Sequence, residues 1–193
     1  MTASRIYADY NAQSPLRPEA RAAVERVMAT FGNPSSVHGE GRRAKAILDD
    51  ARDVIANSVG ANAGDLIFTS GAAEANNLAI FGGAKASGAS AIFLSQLEHD
   101  SVWRAANATG LPVFELPVTL AGVIDLNWLA SRLEDWDLLR DGRPFACVML
   151  ANNETGIIQP VAEAAAFFHG AGGYLLCDAV QGLGRIAIDI ENL

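Results

Sequence analysis

The chain has 193 residues, half of them hydrophobic, with 14 Lys or Arg against 22 Asp or Glu and a formal net charge of -8. That length supports a domain with a sizeable core. The acidic balance argues against a nucleic-acid or anionic-membrane surface, and no apolar run approaches the roughly 20 residues of a membrane span. The first residues, Met1-Thr2-Ala3-Ser4-Arg5, lack the apolar stretch of a signal peptide, so a cytoplasmic protein is expected. Cys147 and Cys177 both lie in apolar, strand-like runs and read as small buried hydrophobes. No Cys/His spacing resembles a zinc site.

In chain order, Arg17 to Ala29 reads as a helix after Pro15 and Pro18, and Gly32-Asn33-Pro34 supplies turn chemistry for a loop over 31–36. From Gly41 to Val59, the residues Ala44, Ile47, Leu48, Ala51, Ile55 and Val59 recur at helical spacing, and Gly60 ends the helix. Beyond this point strand-like and helical runs alternate. Strands are predicted at 65–69, 91–95, 113–116, 145–150 and 174–177. Helices are predicted at 73–87, 99–109, 126–134 (capped by Asp125) and 160–171. Alternation of this kind argues for an α/β fold with a parallel sheet and right-handed crossovers. Trp136 to Pro144 reads as a polar loop without an assignable motif.

Four polar clusters fall where these strands are expected to end: Ser70 to Glu74, Glu98-His99, Asn152 to Gly156, and Asp178 to Gln181. In an open α/β sheet, ligands bind outside the carboxyl ends of the strands. Ser70-Gly71-Ala72-Ala73-Glu74 opens a helix, whose first free N–H groups suit a phosphate; the same residues also suit an ordinary turn. His99 could stack on a flat cofactor, exchange protons, or sit on a helix surface. Asn153 could donate to a ring oxygen or simply shape a turn. Asp178 could hold a proton against a pyridine nitrogen or cap a helix, and Gln181 follows three residues later. No Gly-x-Gly-x-x-Gly, Walker lysine or Gly-x-Ser-x-Gly elbow is present, which argues against dinucleotide, nucleoside triphosphate and serine-hydrolase chemistry.

Taken in order, six motifs resemble the pyridoxal 5'-phosphate-dependent cysteine desulfurases of the class V aminotransferase group. They are Tyr7 to Ala12; Gly32-Asn33-Pro34-Ser35-Ser36-Val37-His38 with Gly41 and Ala44; Thr69 to Ala72 with Glu74 and Asn77; Glu98-His99; Asn152 to Gly156; and Asp178 to Gln181. The resemblance implies the large domain of a fold-type I transferase, a mostly parallel sheet with helices on both faces. Residues 1–60 would belong partly with the small domain and 61–193 would begin the large one. Ala72, Ala73 and Glu74 would hold the phosphate, His99 would stack on the ring and take part in proton transfer, Asn153 and Gln181 would bond its oxygen, and Asp178 would pair with its protonated nitrogen. The implied reaction takes L-cysteine to L-alanine and an enzyme persulfide. The implied partners are a second copy of the chain and an iron–sulfur scaffold or other sulfur acceptor. Selenocysteine lyase, another class V aminotransferase, and a non-catalytic truncated homologue that binds a full-length partner are the alternatives.

The chain departs from that pattern in places. Ala73 stands where the family has Thr, removing a hydroxyl bond to phosphate worth about 1.5 to 3 kcal/mol. Gln13-Ser14 replaces two threonines. The Schiff-base Ser-x-His-Lys motif is not among these residues. Lys45 and Lys85 read as surface residues, and neither cysteine matches the family nucleophile. The expectation is therefore an N-terminal part of the enzyme, inactive and poorly stable alone, because two later strands would complete its sheet.

Overall fold

The computed structural model describes residues 5–190. The chain divides into two compact units, with the boundary between Leu66 and Ile67.

In the first unit, α1 spans Pro18–Met28, with proline in its first turn, and α2 spans Gly39–Ser58. His38 is the N-cap of α2, and its Nδ1 accepts from the Gly41 N–H at 3.4 Å. The loop before α2 packs so closely that a side chain at Gly41 would run into the carbonyls of Ser36 and Asn33, so glycine is required there. A single 3-10 turn, Ala63–Asp65, follows α2.

The predicted strand at 65–69 is not formed. Leu66 is extended, but no strand includes this run, and Ile67 and Phe68 are 69% and 44% exposed. A β-rich apolar run becomes a strand only when a neighbouring strand takes up its backbone hydrogen bonds. Among the described residues the sheet has four strands, and all its ladders lie further along the chain.

The second unit is an α/β layer structure: α3 (Ala72–Ser87), β1 (Ala89–Ser95), α4 (Asp100–Ala108), β2 (Val113–Leu116), α5 (Leu126–Glu134), β3 (Arg143–Met149), α6 (Val161–Gly170) and β4 (Tyr174–Asp178). The strands run in the order β2-β1-β3-β4, and every pairing is parallel. Successive strand residues point to opposite faces, so the apolar runs feed two cores. Phe93, Ala146 and Val148 pack with Leu129, Val161 and Phe168 of α5 and α6. Ile92, Leu94, Phe145 and Cys147 pack with Ile80 of α3 and Val102 and Ala105 of α4. Helices thus cover both faces, which is why the strands read as continuous hydrophobic runs.

The segment that carried no motif is ordered by its own side chains. Trp136 Nε1 donates to the Gly142 carbonyl at 2.8 Å, and Asp137 Oδ1 accepts the N–H groups of Leu139 and Arg140, each at 2.9 Å. Trp136 also meets Phe93 edge-on, with ring centroids 5.3 Å apart. No helix among the described residues is long and apolar enough to cross a membrane.

Candidate cofactor site

The strand order fixes where a ligand pocket can lie. From β1 the chain moves outward to β2, then returns to the other side of β1 to make β3. The loops leaving the carboxyl ends of β1 and β3 therefore diverge, which in open α/β sheets marks the place of a ligand crevice. The β1–α4 loop carries Glu98 and His99, and the segment after β3 carries Asn152 and Asn153. Asp178 ends β4 and pairs in register with Met149, the last residue of β3.

Two side chains tie the crevice together. The Glu98 carboxyl is 7% exposed, and its Oε1 accepts the Met149 N–H at 2.6 Å. Burial pushes this carboxyl up to about 8, against the pull of the Met149 N–H and helped by the nearby Asp178 charge. Glu98 is therefore a neutral acid near pH 7. Its Oε2 is buried without a hydrogen-bond partner among the described residues. Asn152, also buried, shapes the turn after β3. Its Oδ1 accepts from Glu154 N, Thr155 N and Thr155 Oγ at 3.0, 2.9 and 3.1 Å, while Nδ2 donates to the Leu97 carbonyl at 3.3 Å.

The turn at Ser70 to Glu74 does open a helix, although a coil rather than a strand precedes it. Gly71 is the N-cap of α3, and the first donor bonded within the helix is Ala75, to the Gly71 carbonyl at 3.1 Å. The N–H groups of Ala72, Ala73 and Glu74 precede that donor and point along the helix axis. The Glu74 side chain folds back, its Oε2 accepting from Ser70 N at 2.7 Å and Ser70 Oγ at 2.5 Å. The Ser70 hydroxyl, ahead of its N–H, holds this carboxyl below its ordinary range. Glu74 can offer a ligand its N–H, while its carboxylate is already engaged.

His99, Asp178 and the first turns of α3 meet through a residue that sequence reasoning missed. Asn76 is 5% exposed, and its Nδ2 donates both to Asp178 Oδ2 and to Ser101 Oγ, each at 3.1 Å. Ser101 Oγ lies 2.9 Å from His99 Nδ1. Asp178 Oδ1 accepts the Val180 N–H at 3.0 Å. A buried amide must find partners, but burial is not written in the sequence, so no spacing marked Asn76.

Asn153 and Gln181 lie on the expected loops. Asn153 Nδ2 donates to Glu154 Oε1 at 2.7 Å, and Gln181 Oε1 accepts from the Arg185 guanidinium. The bonds that join His99 to Asp178 run through Asn76 and Ser101 instead. The segment after β4 is not helical; it turns over 180–182, closed by Gly182 N to the Ala179 carbonyl at 2.9 Å. Cys147 is buried and Cys177 half-buried; burial raises both thiols, that of Cys177 up to about 12, which leaves them poor nucleophiles.

Comparison with known proteins decides the family: residues 6–193 match the family model described as aminotransferase class-V. The chain belongs to the class-V aminotransferase family. Among its class-V relatives is the cysteine desulfurase IscS of Dictyoglomus turgidum, 35% identical over 194 residues, covering 97% of this chain and 48% of the relative. A selenocysteine lyase of Xenopus tropicalis is 34% identical over 220 residues, covering 98% and 49%. The NifS-like protein of Rickettsia africae superposes with a TM-score of 0.83 at 29% identity, covering 95% of this chain and 50% of that one. The class-V chain therefore spans about half the length of the curated relatives it matches.

Proposed function

We propose that this chain forms the cofactor-cradling part of a pyridoxal 5'-phosphate-dependent cysteine desulfurase that converts L-cysteine to L-alanine and leaves the sulfur on an enzyme thiol. The observation that carries the reading is the position of Asp178. Its carboxylate ends β4 at the crevice and is held by Val180 and by Asn76, a residue of the second turn of α3. The donor set present fits such a cofactor: helix N–H groups for its phosphate, a carboxylate for its ring nitrogen, and an imidazole to cover its ring. When bound, that group supplies an electron sink for the bond changes at the amino acid.

The chain's own residues would do the following. Ala72, Ala73 and Glu74 bind the phosphate through their N–H groups, with the α3 dipole behind them. Asp178, fixed by two donors, keeps a proton on the ring nitrogen. Asn153 and Gln181, on the loops after β3 and β4, donate to the ring oxygen. Glu98 and Asn152 hold the β1 and β3 loops at a constant separation. Lys85 sits in the last turn of α3, 13 residues from Ala72 and roughly 20 Å along the axis, so it cannot anchor a cofactor there. Lys45 is paired with Asp49 on α2.

The similarity to selenocysteine lyases supports a second reading in which selenocysteine is the preferred substrate. On the same proposal the enzyme works in the cytoplasm, as a homodimer passing sulfur to an iron–sulfur scaffold or another acceptor. Cofactor binding to the complete protein, followed by absorbance, tests the cradle. Asp178→Ala is expected to weaken binding and shift the bound spectrum, whereas an unchanged spectrum would sink the assignment. The ratio of kcat/KM for cysteine and selenocysteine separates the two substrates.

A further inference from the structure

The hydrogen bonds around His99 have a direction, and that direction fixes where its proton sits. His99 is the N-cap of α4, and its Nδ1 accepts the Ser101 backbone N–H at 3.1 Å. A backbone N–H can only donate, so Nδ1 must present a lone pair. The Ser101 hydroxyl lies 2.9 Å from the same nitrogen. Its own oxygen accepts from Asn76 Nδ2 at 3.1 Å, which leaves the hydroxyl proton for His99. Asn76 cannot be turned round, because its oxygen would then face the Asp178 carboxylate, and both of its Nδ2 protons have acceptors as it stands. The relay therefore runs one way, from Asn76 to Ser101 to His99 Nδ1.

We propose that Asn76 and Ser101 are positioning residues that hold His99 as the neutral Nε2–H tautomer, so that toward the cofactor it presents a hydrogen-bond donor and not a base. Base action at Nε2 would require the proton on Nδ1 instead, at the loss of both bonds from Ser101. Proton removal from the substrate then falls to another group, and His99 orients and polarises. The tautomer rests on geometry alone; its catalytic meaning rests on the cofactor site proposed above.

The test is nitrogen NMR of the full chain labelled with 15N-histidine, recorded where imidazole is neutral, with His99→Gln assigning one of the three histidines. The expected result is a protonated Nε2 and a bare Nδ1, with no resolvable Nδ1–H form. In Ser101→Ala the backbone N–H still donates to Nδ1, so the Nε2–H form stays dominant, and loss of the hydroxyl bond is expected as a downfield shift of the Nδ1 resonance toward that of an imidazole nitrogen with fewer donors. A wild-type spectrum with Nδ1–H dominant, or with both tautomers populated, would overturn the proposal whatever the variant does. A Ser101→Ala spectrum identical to wild type would overturn the role given to the pair. Failure of the complete protein to bind the cofactor would instead overturn the functional reading and leave the tautomer as measured.

Discussion

Glu98 bonds to the main chain of a residue 51 positions away in sequence: its Oε1 accepts the Met149 N–H at 2.6 Å, joining the β1 loop to the end of β3. The bond spans the crevice at the point where the sheet reverses its order. A neutral carboxyl can hold this position inside the protein; an ionised one there is opposed by burial and by the Asp178 charge.

That opposition has a measurable sign. The Glu98 carboxyl is raised from its ordinary range near 4.5 to about 8 on folding. Below about 4.5 both folded and unfolded chains hold the proton. Between about 4.5 and 8 only the folded chain does, so its contribution to stability falls steadily as pH rises through that window. Above 8 the loss is complete. Glu98→Gln keeps a neutral acceptor for Met149 and removes the titration. Urea unfolding across pH 5 to 9 is expected to show a flatter profile for the variant, with a gain on the order of 2 kcal/mol at the alkaline end. Parallel profiles for the two proteins would refute the assignment.

Asn76→Ala removes one donor from Asp178 and one from Ser101, and leaves a buried gap between α3, α4 and β4. The expected cost is about 2 kcal/mol or more in unfolding free energy. Cofactor affinity is expected to fall as well, because among the described residues the Asp178 carboxylate then keeps the Val180 N–H alone. Asn77→Ala is the control: Asn77 is exposed and bonds only the Ala73 carbonyl of its own helix among the contacts described. It should change stability by less than about 0.5 kcal/mol.

Asn152→Ala leaves Glu154 N, Thr155 N and Thr155 Oγ without their shared acceptor and cuts the tie to Leu97. The expected cost is about 2 to 3 kcal/mol. Amide exchange at Thr155 should speed up in step, whereas exchange in β1 should not change.

Ala73→Thr adds a hydroxyl to the first turn of α3, where residue 73 is exposed and the helix start can take it without crowding. If this turn holds the cofactor phosphate, affinity is expected to tighten about tenfold, equivalent to one hydrogen bond to a charged group. Equal affinities would place the phosphate elsewhere.

Much of this architecture was legible in the sequence, for physical reasons that can be named. The strands 113–116 and 174–177 and the helix 126–134 with its Asp125 cap stand out because their apolar spacing and capping residues agree with their packing; Asp125 does accept from Asn127 N and Trp128 N at 3.0 Å. The run at 65–69 misled because propensity marks a segment that can be a strand, while only a partner makes it one. Asp178 and His99 were legible as polar residues at strand ends. Asn76, Ser101 and Asn152 were not, because each acts through bonds to residues distant in sequence or inside its own turn, and no spacing rule marks a buried amide on a helix. Asn152, and not its neighbour Asn153, is the side chain that builds the turn, a distinction that two adjacent asparagines cannot carry in sequence alone.

The most direct measurement is alanine and sulfide release from L-cysteine by the complete protein loaded with pyridoxal 5'-phosphate and supplied with a thiol reductant. The two products are expected in equal amounts, with turnover lost in Asp178→Ala. A protein that binds the cofactor yet yields no alanine from cysteine, or an Asp178→Ala variant as active as the wild type, would contradict it.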